Sequence, residues 1–283
     1  MSSSGMLVLF VCAIAALASE DQQQRRRDRP GWPCIAGRAF DPSFYDLAEG
    51  TGCQLFLFDP SEIARSHVLM IGRQQHAETI FRASGNLAAS PRVFEFPVDS
   101  TIESLLLSVS LQCRQSVAVE NPAGQEVAGA SAASEDHEFQ AGRILKIISP
   151  APGMWKVRVA GRGMFFVVAE AKSEIALDEV RFVERGGLPG HEGMFPTGRP
   201  PKLGVAQMLE ASLSGPARDV SFHLLSSAGE PLGTLDLERV SEDGDFLGVV
   251  TPGNSKFRVA AQGRDENGWP FQRLHPPLFQ AAP

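Results

Sequence analysis

The stretch that decides the fold class is PGMWKVRV, residues 152–159. A Pro-Gly corner leads into a segment in which Trp155, Val157 and Val159 alternate with two basic residues. This period of two is typical of a β-strand with one buried face and one solvated face. We expect Trp155 to anchor the core of a β-sandwich, because its large ring removes much apolar surface from water.

Composition places the chain among mildly acidic globular proteins. Its 283 residues suffice for two modest domains, and 27 Gly with 20 Pro indicate many turns. The net charge of −7 argues against a general affinity for nucleic acid. We interpret the one basic run, Arg25–Arg29, as a solvated tail.

The first residues bear on the compartment. Met6–Leu17 is an uninterrupted apolar run that ends in a small-x-small site at Ala16–Ala18. The run is too short to span a bilayer and favours a signal peptide over residues 1–18, cleaved after Ala18. The first five residues carry no basic residue, so a buried parallel strand at Leu7–Cys12 is the alternative. Residues 19–39 are polar and aperiodic, which predicts disorder.

Four cysteines occur, at positions 12, 34, 53 and 113. Removal of a signal peptide would leave three, which allows one disulfide, and the short loop between Cys34 and Cys53 favours that pair. The chain has no C-x-x-C pair and no Cys/His ligand spacing, so no zinc site is predicted.

The pattern along the chain divides it into three parts. Residues 40–90 predict a helix, a Gly turn, a short buried strand and an amphipathic helix from Pro60 to about Met70, an order typical of the end of a doubly wound α/β domain. Residues 91–172 and 173–283 each predict a β-sandwich, since short alternating runs are separated by Gly- and Pro-containing turns. The expected fold class is mainly β.

Four motifs carry a resemblance to a known family. They are LAEGTGCQLF (47–56), the turn VENPAG (119–124), PGMW (152–155) and FRVAAQGRDENGWPFQR (257–273), which contains a G-x-D-x-x-G…R pattern. In this order the chain resembles the family of the hemicentins and von Willebrand factor A (vWA) domain-containing protein 7. Hemicentins continue into long Ig arrays, whereas this chain stops after one Ig-like segment, so it is more similar to the vWA domain-containing protein 7 type. The resemblance covers Phe40–Ala281.

The resemblance implies a domain assignment. Residues 40–90 would be the C-terminal remnant of a vWA domain, 91–172 a galactose-binding-like β-sandwich and 173–283 an Ig-like β-sandwich. It also implies an alternative for the first residues, in which Leu7–Val11 is a truncated vWA strand and not part of a signal peptide.

A vWA domain holds its metal through Asp-x-Ser-x-Ser, which this chain lacks. Asp41 with Ser43, and Asp59 with Ser61, each supply only the first half of that motif. We interpret them as helix caps, a position that Asp and Ser favour. No metal, no cofactor and no metal-dependent adhesion are therefore expected.

No catalytic residues are predicted either. The chain has no G-x-S-x-G, H-E-x-x-H, P-loop or dinucleotide fingerprint, so we expect a non-enzyme. The expected function is that of a secreted, extracellular, non-catalytic module for protein interaction or matrix association. Its partners would be extracellular proteins, without nucleic acid or a membrane span, and the Gly186–Lys202 loop is the predicted contact surface. The alternative is a carbohydrate-binding module or hydrolase, with Trp269 or Trp32 stacking on a sugar; packing is the preferred interpretation of both rings.

Overall fold

The computed structural model describes residues 12–14, 42–68, 78–88, 90–131, 133–188, 190 and 192–283. The N-terminal unit consists of β1 (Cys12–Ile14), α1 (Pro42–Thr51), β2 (Leu55–Leu57) and a 3-10 helix (Pro60–Arg65). β1 and β2 pair in parallel. The predicted helix from Pro60 to about Met70 is a 3-10 helix over its first residues, followed by a turn at 66–67, and its end at Met70 lies outside the described residues, as does the rest of the predicted signal segment.

The first sandwich is one antiparallel sheet of long strands folded on itself. Its strands are β3 (Glu78–Leu87), β4 (Arg92–Val98), β5 (Ser104–Glu120), β6 (Ser134–Phe139), β7 (Gly142–Ile148) and β8 (Gly153–Lys172). The order is β3-β8-β5-β7-β6, and β4 pairs with the first half of β8 while β3 pairs with its second half. The predicted separate strands at 155–159 and 165–169 are therefore one continuous strand.

A glycine corner folds this sheet. At Gly161 the backbone has φ +149°, and a Cβ there would lie 2.2 Å from the carbonyl oxygen of Cys113 on β5. The β5–β8 register shifts at the same place, on both sides of Arg114. Because only glycine fits this approach, the two long strands can bend together and enclose a core.

The core of the first sandwich contains Trp155, as predicted. Its side chain is 2% exposed, and its indole N–H donates to the carbonyl oxygen of Ala151 at 2.9 Å. Phe94, Phe96 and Phe165 are buried in the same cluster. A buried indole needs a hydrogen-bond acceptor, and the turn before β8 supplies it.

The first strand of the sandwich lies before the boundary that the sequence predicts at residue 91. Glu78–Leu87 pairs along β8 over nearly its whole length. Its run ETIFRASGNL mixes polar and apolar residues. Apolar residues such as Ile80 and Ala83 pack in the core of the sandwich, whereas Arg82 contacts the N-terminal unit and Ser84 contacts the second sandwich.

The second sandwich contains two antiparallel sheets around one apolar core. Its strands are β9 (Ala176–Gly186), β10 (Gly193–Pro196), β11 (Gln207–Ser214), β12 (Ala217–Leu225), β13 (Pro231–Leu235), β14 (Glu238–Arg239), β15 (Asp245–Val250), β16 (Lys256–Asp265), β17 (Pro270–Leu274) and β18 (Phe279–Gln280). One sheet has the order β10-β9-β11-β15-β14, and the other β13-β12-β16-β17, with β18 beside β16.

The predicted contact loop, Gly186–Lys202, contains an edge strand. β10 pairs with the end of β9, so the excursion is partly a hairpin. Within the described residues, no helix is long and apolar enough to cross a membrane.

Candidate functional site

The N-terminal unit covers the outer face of the first sandwich. On β5, Ser108 exchanges hydrogen bonds with the side chain of Gln54 at 2.6 and 2.8 Å, and Ser110 accepts the backbone N–H of Leu57 at 2.9 Å. Phe56 packs with Leu106 in a second apolar cluster. Both faces of β5 are therefore buried, which explains why residues 104–111 form a nearly continuous apolar run.

Glu49, at the end of α1, joins all three units. Its carboxylate is 1% exposed and binds Arg82 of β3, with N–O distances of 3.0 and 3.3 Å, through one oxygen. The other oxygen binds Arg258 of β16. A single carboxylate thus holds one arginine of each sandwich, and its helix lies across their junction.

The two arginines differ in how well they are satisfied. Arg82 also donates to the carbonyl oxygens of Ala48, Gly52 and Cys53, at 3.2, 2.9 and 2.6 Å. Arg258 donates to Pro276 O at 2.9 Å, and its buried Nη1 has no hydrogen-bond partner among the described residues. Burial, against the attraction of Glu49, lowers the pKa of Arg258 to about 10.

His275 lies beside this cluster. Its ring stacks on Phe279, with 5.1 Å between the ring centroids. Burial, together with the positive charge of Arg258, lowers the pKa of His275 to about 4. The histidine is therefore neutral at pH 7, and its protonation would add a further positive charge to a buried site that already has two arginines on one glutamate.

A second buried cluster joins the two sandwiches directly. Arg273 of β17 donates to the carbonyl oxygen of Ile175 at 2.8 Å and lies 2.8 Å from the Oδ2 atom of Asp99. In the part of the chain that the structure describes, that oxygen has no hydrogen-bond partner, so this contact is an ion pair without hydrogen-bond alignment. Both side chains are fully buried. Burial is the main cause that lowers the pKa of Arg273, against the attraction of Asp99.

Asp265 completes this joint. It accepts the backbone N–H and the hydroxyl of Ser100 at 2.8 and 2.6 Å, and the N–H groups of Asn267 and Trp269 at 3.0 and 2.8 Å. Burial opposes its ionisation, but these hydrogen bonds outweigh burial and lower its pKa. One side chain thus shapes the β16–β17 hairpin and fixes it to the first sandwich.

These contacts assign a role to the G-x-D-x-x-G…R pattern. Its Asp is Asp265, its second Gly is Gly268 with φ +85°, and its Arg is Arg273. The sequence shows the pattern, but it does not show that the pattern's acid and base bind residues some 170 positions earlier in the chain. The chemistry available at this junction is structural: paired charges that set how the sandwiches pack.

Of the two half-motifs for metal binding, Asp41 with Ser43 and Asp59 with Ser61, the structure describes the aspartate of only the second. Asp59 caps the 3-10 helix, accepting the N–H of Ser61 at 2.9 Å, and forms a capping box with Glu62. Asp41 lies outside the described residues. Among the described side chains no group of three or more His, Cys, Asp or Glu could hold a metal ion.

The disulfide prediction is wrong. Cys53 is a free thiol, whereas Cys113 is disulfide-bonded to a cysteine that is not among the described side chains. Proximity in sequence favours closing a short loop, but Cys53 lies directly after α1, where Arg82 fixes its carbonyl. The bend of β5, which the sequence does not reveal, sets the environment of Cys113 instead.

One serine–histidine pair resembles part of a catalytic site. Ser221 Oγ and His223 Nε2 lie 3.0 Å apart on one face of β12, and burial lowers the pKa of His223. A serine nucleophile also needs a group that orients its histidine. Among the described residues, no carboxylate lies within ion-pair distance of His223. The pair is a polar contact without the rest of a catalytic site.

Trp269 does not pack in the core, which was the preferred interpretation of its ring from the sequence. Its side chain is 43% exposed at the tip of the β16–β17 hairpin, so it does not belong to the core. Trp32, the other tryptophan considered, lies outside the described residues.

By its fold, the first sandwich belongs to the class of antiparallel β-sandwich domains. Residues 78–174 match the family model described as hemicentin galactose-binding domain-like, so this part of the chain is similar to that domain family. The match begins at the first residue of β3.

Comparison with solved structures shows a distant likeness. A Bacillus licheniformis lipase, BlEst2 in propeptide form, is 12% identical over 78% of this chain and 49% of that one, with a TM-score of 0.31. A DUF4785 family protein from Legionella pneumophila is 10% identical over 74% of this chain and 62% of that one, with a TM-score of 0.34. The chain covers less than two thirds of either structure. No curated protein matches the chain.

Proposed function

We propose that this protein is a secreted, extracellular, non-catalytic recognition module that associates with matrix components or extracellular proteins. The observation that carries the proposal is the hemicentin-like galactose-binding domain at residues 78–174. We expect a β-sandwich of this class to bind protein or carbohydrate through its surface, because the motifs of the chain serve packing and carry no catalytic chemistry.

The joint between the sandwiches supports a binding role. Glu49, Asp99 and Asp265 each make buried polar contacts across it. Gln272 adds a hydrogen bond to the carbonyl oxygen of Ile80 at 2.9 Å. Two sandwiches fixed in this way present their loops at constant spacing, which lowers the ordering cost when a large partner binds.

Secretion is the second element of the proposal. The Met6–Leu17 run supports it, and so does the disulfide of Cys113, because disulfides persist in oxidising compartments. Expression in mammalian cells and N-terminal sequencing of the medium tests it. We expect a chain that begins at Ser19. Intracellular protein that retains Met1 would contradict secretion.

The proposed protein-contact surface is the β9–β10 hairpin. Leu188 is 74% exposed near its tip, and Phe195 is 46% exposed on the edge strand. Pro196 blocks further strand pairing, because the N–H missing from proline lies on the free edge. The hairpin therefore offers side chains, and not backbone, to a partner. Capture from extracellular matrix by the wild-type chain, compared with Leu188→Ser/Phe195→Ser, tests this surface.

The absence of catalysis stays part of the proposal. A screen of the secreted chain against glycosides and esters tests it, and Ser221→Ala is the matched variant. Turnover that disappears in this variant would establish a hydrolase and refute the non-catalytic role.

We also propose the finer domain assignment. Under the alternative to a signal peptide, in which residues 12–14 stay in the chain, the parallel pairing of β1 with β2 supports origin of the N-terminal unit from the end of a vWA domain. Two packed antiparallel sheets support an Ig-like second sandwich. An experimental structure of the full chain tests both assignments.

A further inference from the structure

One cross-strand pair in the second sandwich places two cations directly opposite each other. Arg218 of β12 lies directly opposite Arg264 of β16. Directly opposite residues of an antiparallel pair point to the same face, with Cβ atoms about 5 Å apart, and like charges there are destabilising. Both side chains are exposed.

Other cations of the sheets lie directly opposite carboxylates, as two pairs show. Arg181 faces Glu210 at 2.6 Å, and the sheet register brings them together. Lys156 faces Glu95 at 2.9 Å in the same way, in the first sandwich. Among the described residues, neither Arg218 nor Arg264 has a carboxylate within 4.0 Å. The two arginines are thus an uncompensated positive pair on a protein of net charge −7.

The local backbone holds this pair in place. A bulge between Arg218 and Ser221, with Asp219 at φ +51°, brings Arg218 into register with Arg264. Bulges commonly redirect a side chain in this way. At Gly263 a Cβ would lie 2.5 Å from the carbonyl oxygen of Arg218, so the two strands approach closely. Arg264 itself donates to the carbonyl oxygen of Gly268 at 2.7 Å.

The neighbouring residues of the pair along the two strands are polar. Ser221 and Gln262 are the next residues along the same two strands and lie opposite each other. Trp269, on the hairpin that begins at Arg264, exposes 43% of its surface. Hydroxyl and amide groups suit the hydroxyls of a sugar, and an exposed indole suits the apolar face of a pyranose ring.

We propose that Arg218 and Arg264 form a binding site for an acidic saccharide, whose sulfate or carboxylate lies between the two guanidinium groups. Guanidinium groups bind such oxyanions in bidentate geometry. The bound anion would supply the negative charge that other cross-strand cations receive from a carboxylate on the neighbouring strand. This inference rests on the proposed extracellular role, since it names a matrix glycan as one ligand of the module.

Calorimetric titration of the purified chain tests the site with three probes at low salt. They are a sulfated heparin-derived oligosaccharide, its desulfated carboxylate-bearing counterpart, and inorganic sulfate. We expect Arg218→Gln and Arg264→Gln each to weaken oligosaccharide binding about tenfold. Arg239→Gln, an exposed arginine on the other sheet, makes the same charge change and should leave the affinity within about twofold. The desulfated probe identifies which acidic group is bound.

The melting temperatures of the variants distinguish a binding role of Arg218 and Arg264 from a structural role. Removing one arginine of a repelling pair should keep or raise Tm, whereas loss of a structural residue would lower it. Trp269→Ala should weaken oligosaccharide binding without changing the affinity for sulfate.

The proposal is overturned by absence of oligosaccharide binding, by equal losses in all three arginine variants, or by binding to phosphatidylserine vesicles in place of the oligosaccharide. A chain that binds the oligosaccharide but is retained in the cell would contradict the proposed location and leave the site standing.

Discussion

Glu49→Gln should be among the most destabilising isosteric changes in this protein. The substitution removes the charge that Arg82 and Arg258 share, and both arginines stay buried. Arg82 keeps three carbonyl acceptors, so most of the loss falls on Arg258, which keeps only Pro276 O among described acceptors. Removing one partner of a buried ion pair typically costs about 3–5 kcal/mol, since the remaining charge is left without compensation.

Thermal and urea unfolding would measure this effect. For a chain of this size each kcal/mol lowers Tm by about 2–4 °C, so a decrease of about 10 °C is expected. The control is Asp46→Asn on the same helix, which removes an exposed ion pair with Lys256 at 3.0 Å. Exposed pairs contribute about 0–1 kcal/mol. If both variants unfolded at the same temperature, Glu49 would not join the three units as argued.

Three further predictions concern the core, pH and metals. Trp155→Ala should cost about 3–5 kcal/mol, whereas exposed Trp269→Ala should cost less than about 1 kcal/mol; calorimetric unfolding compares them. The pKa of His275 is about 4 in the folded chain and 6.5 when unfolded, so stability should be complete above pH 6.5 and fall by up to about 3 kcal/mol toward pH 4. His275→Gln should flatten the pH dependence of Tm in that window, and an unchanged slope would contradict the assignment. Calorimetric titration with Mg²⁺, Ca²⁺ and Mn²⁺ should be silent at millimolar concentration, because Asp59 is occupied as a helix cap; a stoichiometric signal lost in Asp59→Ala would refute this.

The strands of both sandwiches could largely be predicted from the sequence, because one face of each strand is apolar. The alternation around Trp155 and the turns with Pro and Gly show where these strands start and stop. The predictions were less accurate where an element is buried on both faces or lies at an edge. β3 has no clean alternation, since other units cover it, and β10 is too short to give a pattern.

The junction could not be predicted from the sequence, because its residues look like solvated charges. Glu49 is one of several acidic residues near α1, and Arg82 and Arg258 are single cations in mixed segments. Their burial follows from the packing of three units that are distant in the chain. Only Asp265 and Arg273 belong to a recognisable pattern, and the pattern does not name their partners.

The buried ion pairs lie where the sandwiches meet, and this position explains why charged residues occur at a place where apolar residues would also pack. Buried ion pairs contribute little net stability compared with hydrophobic residues, but a misplaced sandwich would leave every one of them unpaired. Arg258 Nη1 and Asp99 Oδ2 have no hydrogen-bond partner among the described residues, which shows that the joint is not optimised for stability alone. The clusters therefore act mainly by penalising other arrangements of the sandwiches. A fixed arrangement suits the proposed recognition module, because it holds the second sandwich, which carries both the β9–β10 hairpin and the Arg218–Arg264 pair, in one position relative to the first sandwich before any ligand binds.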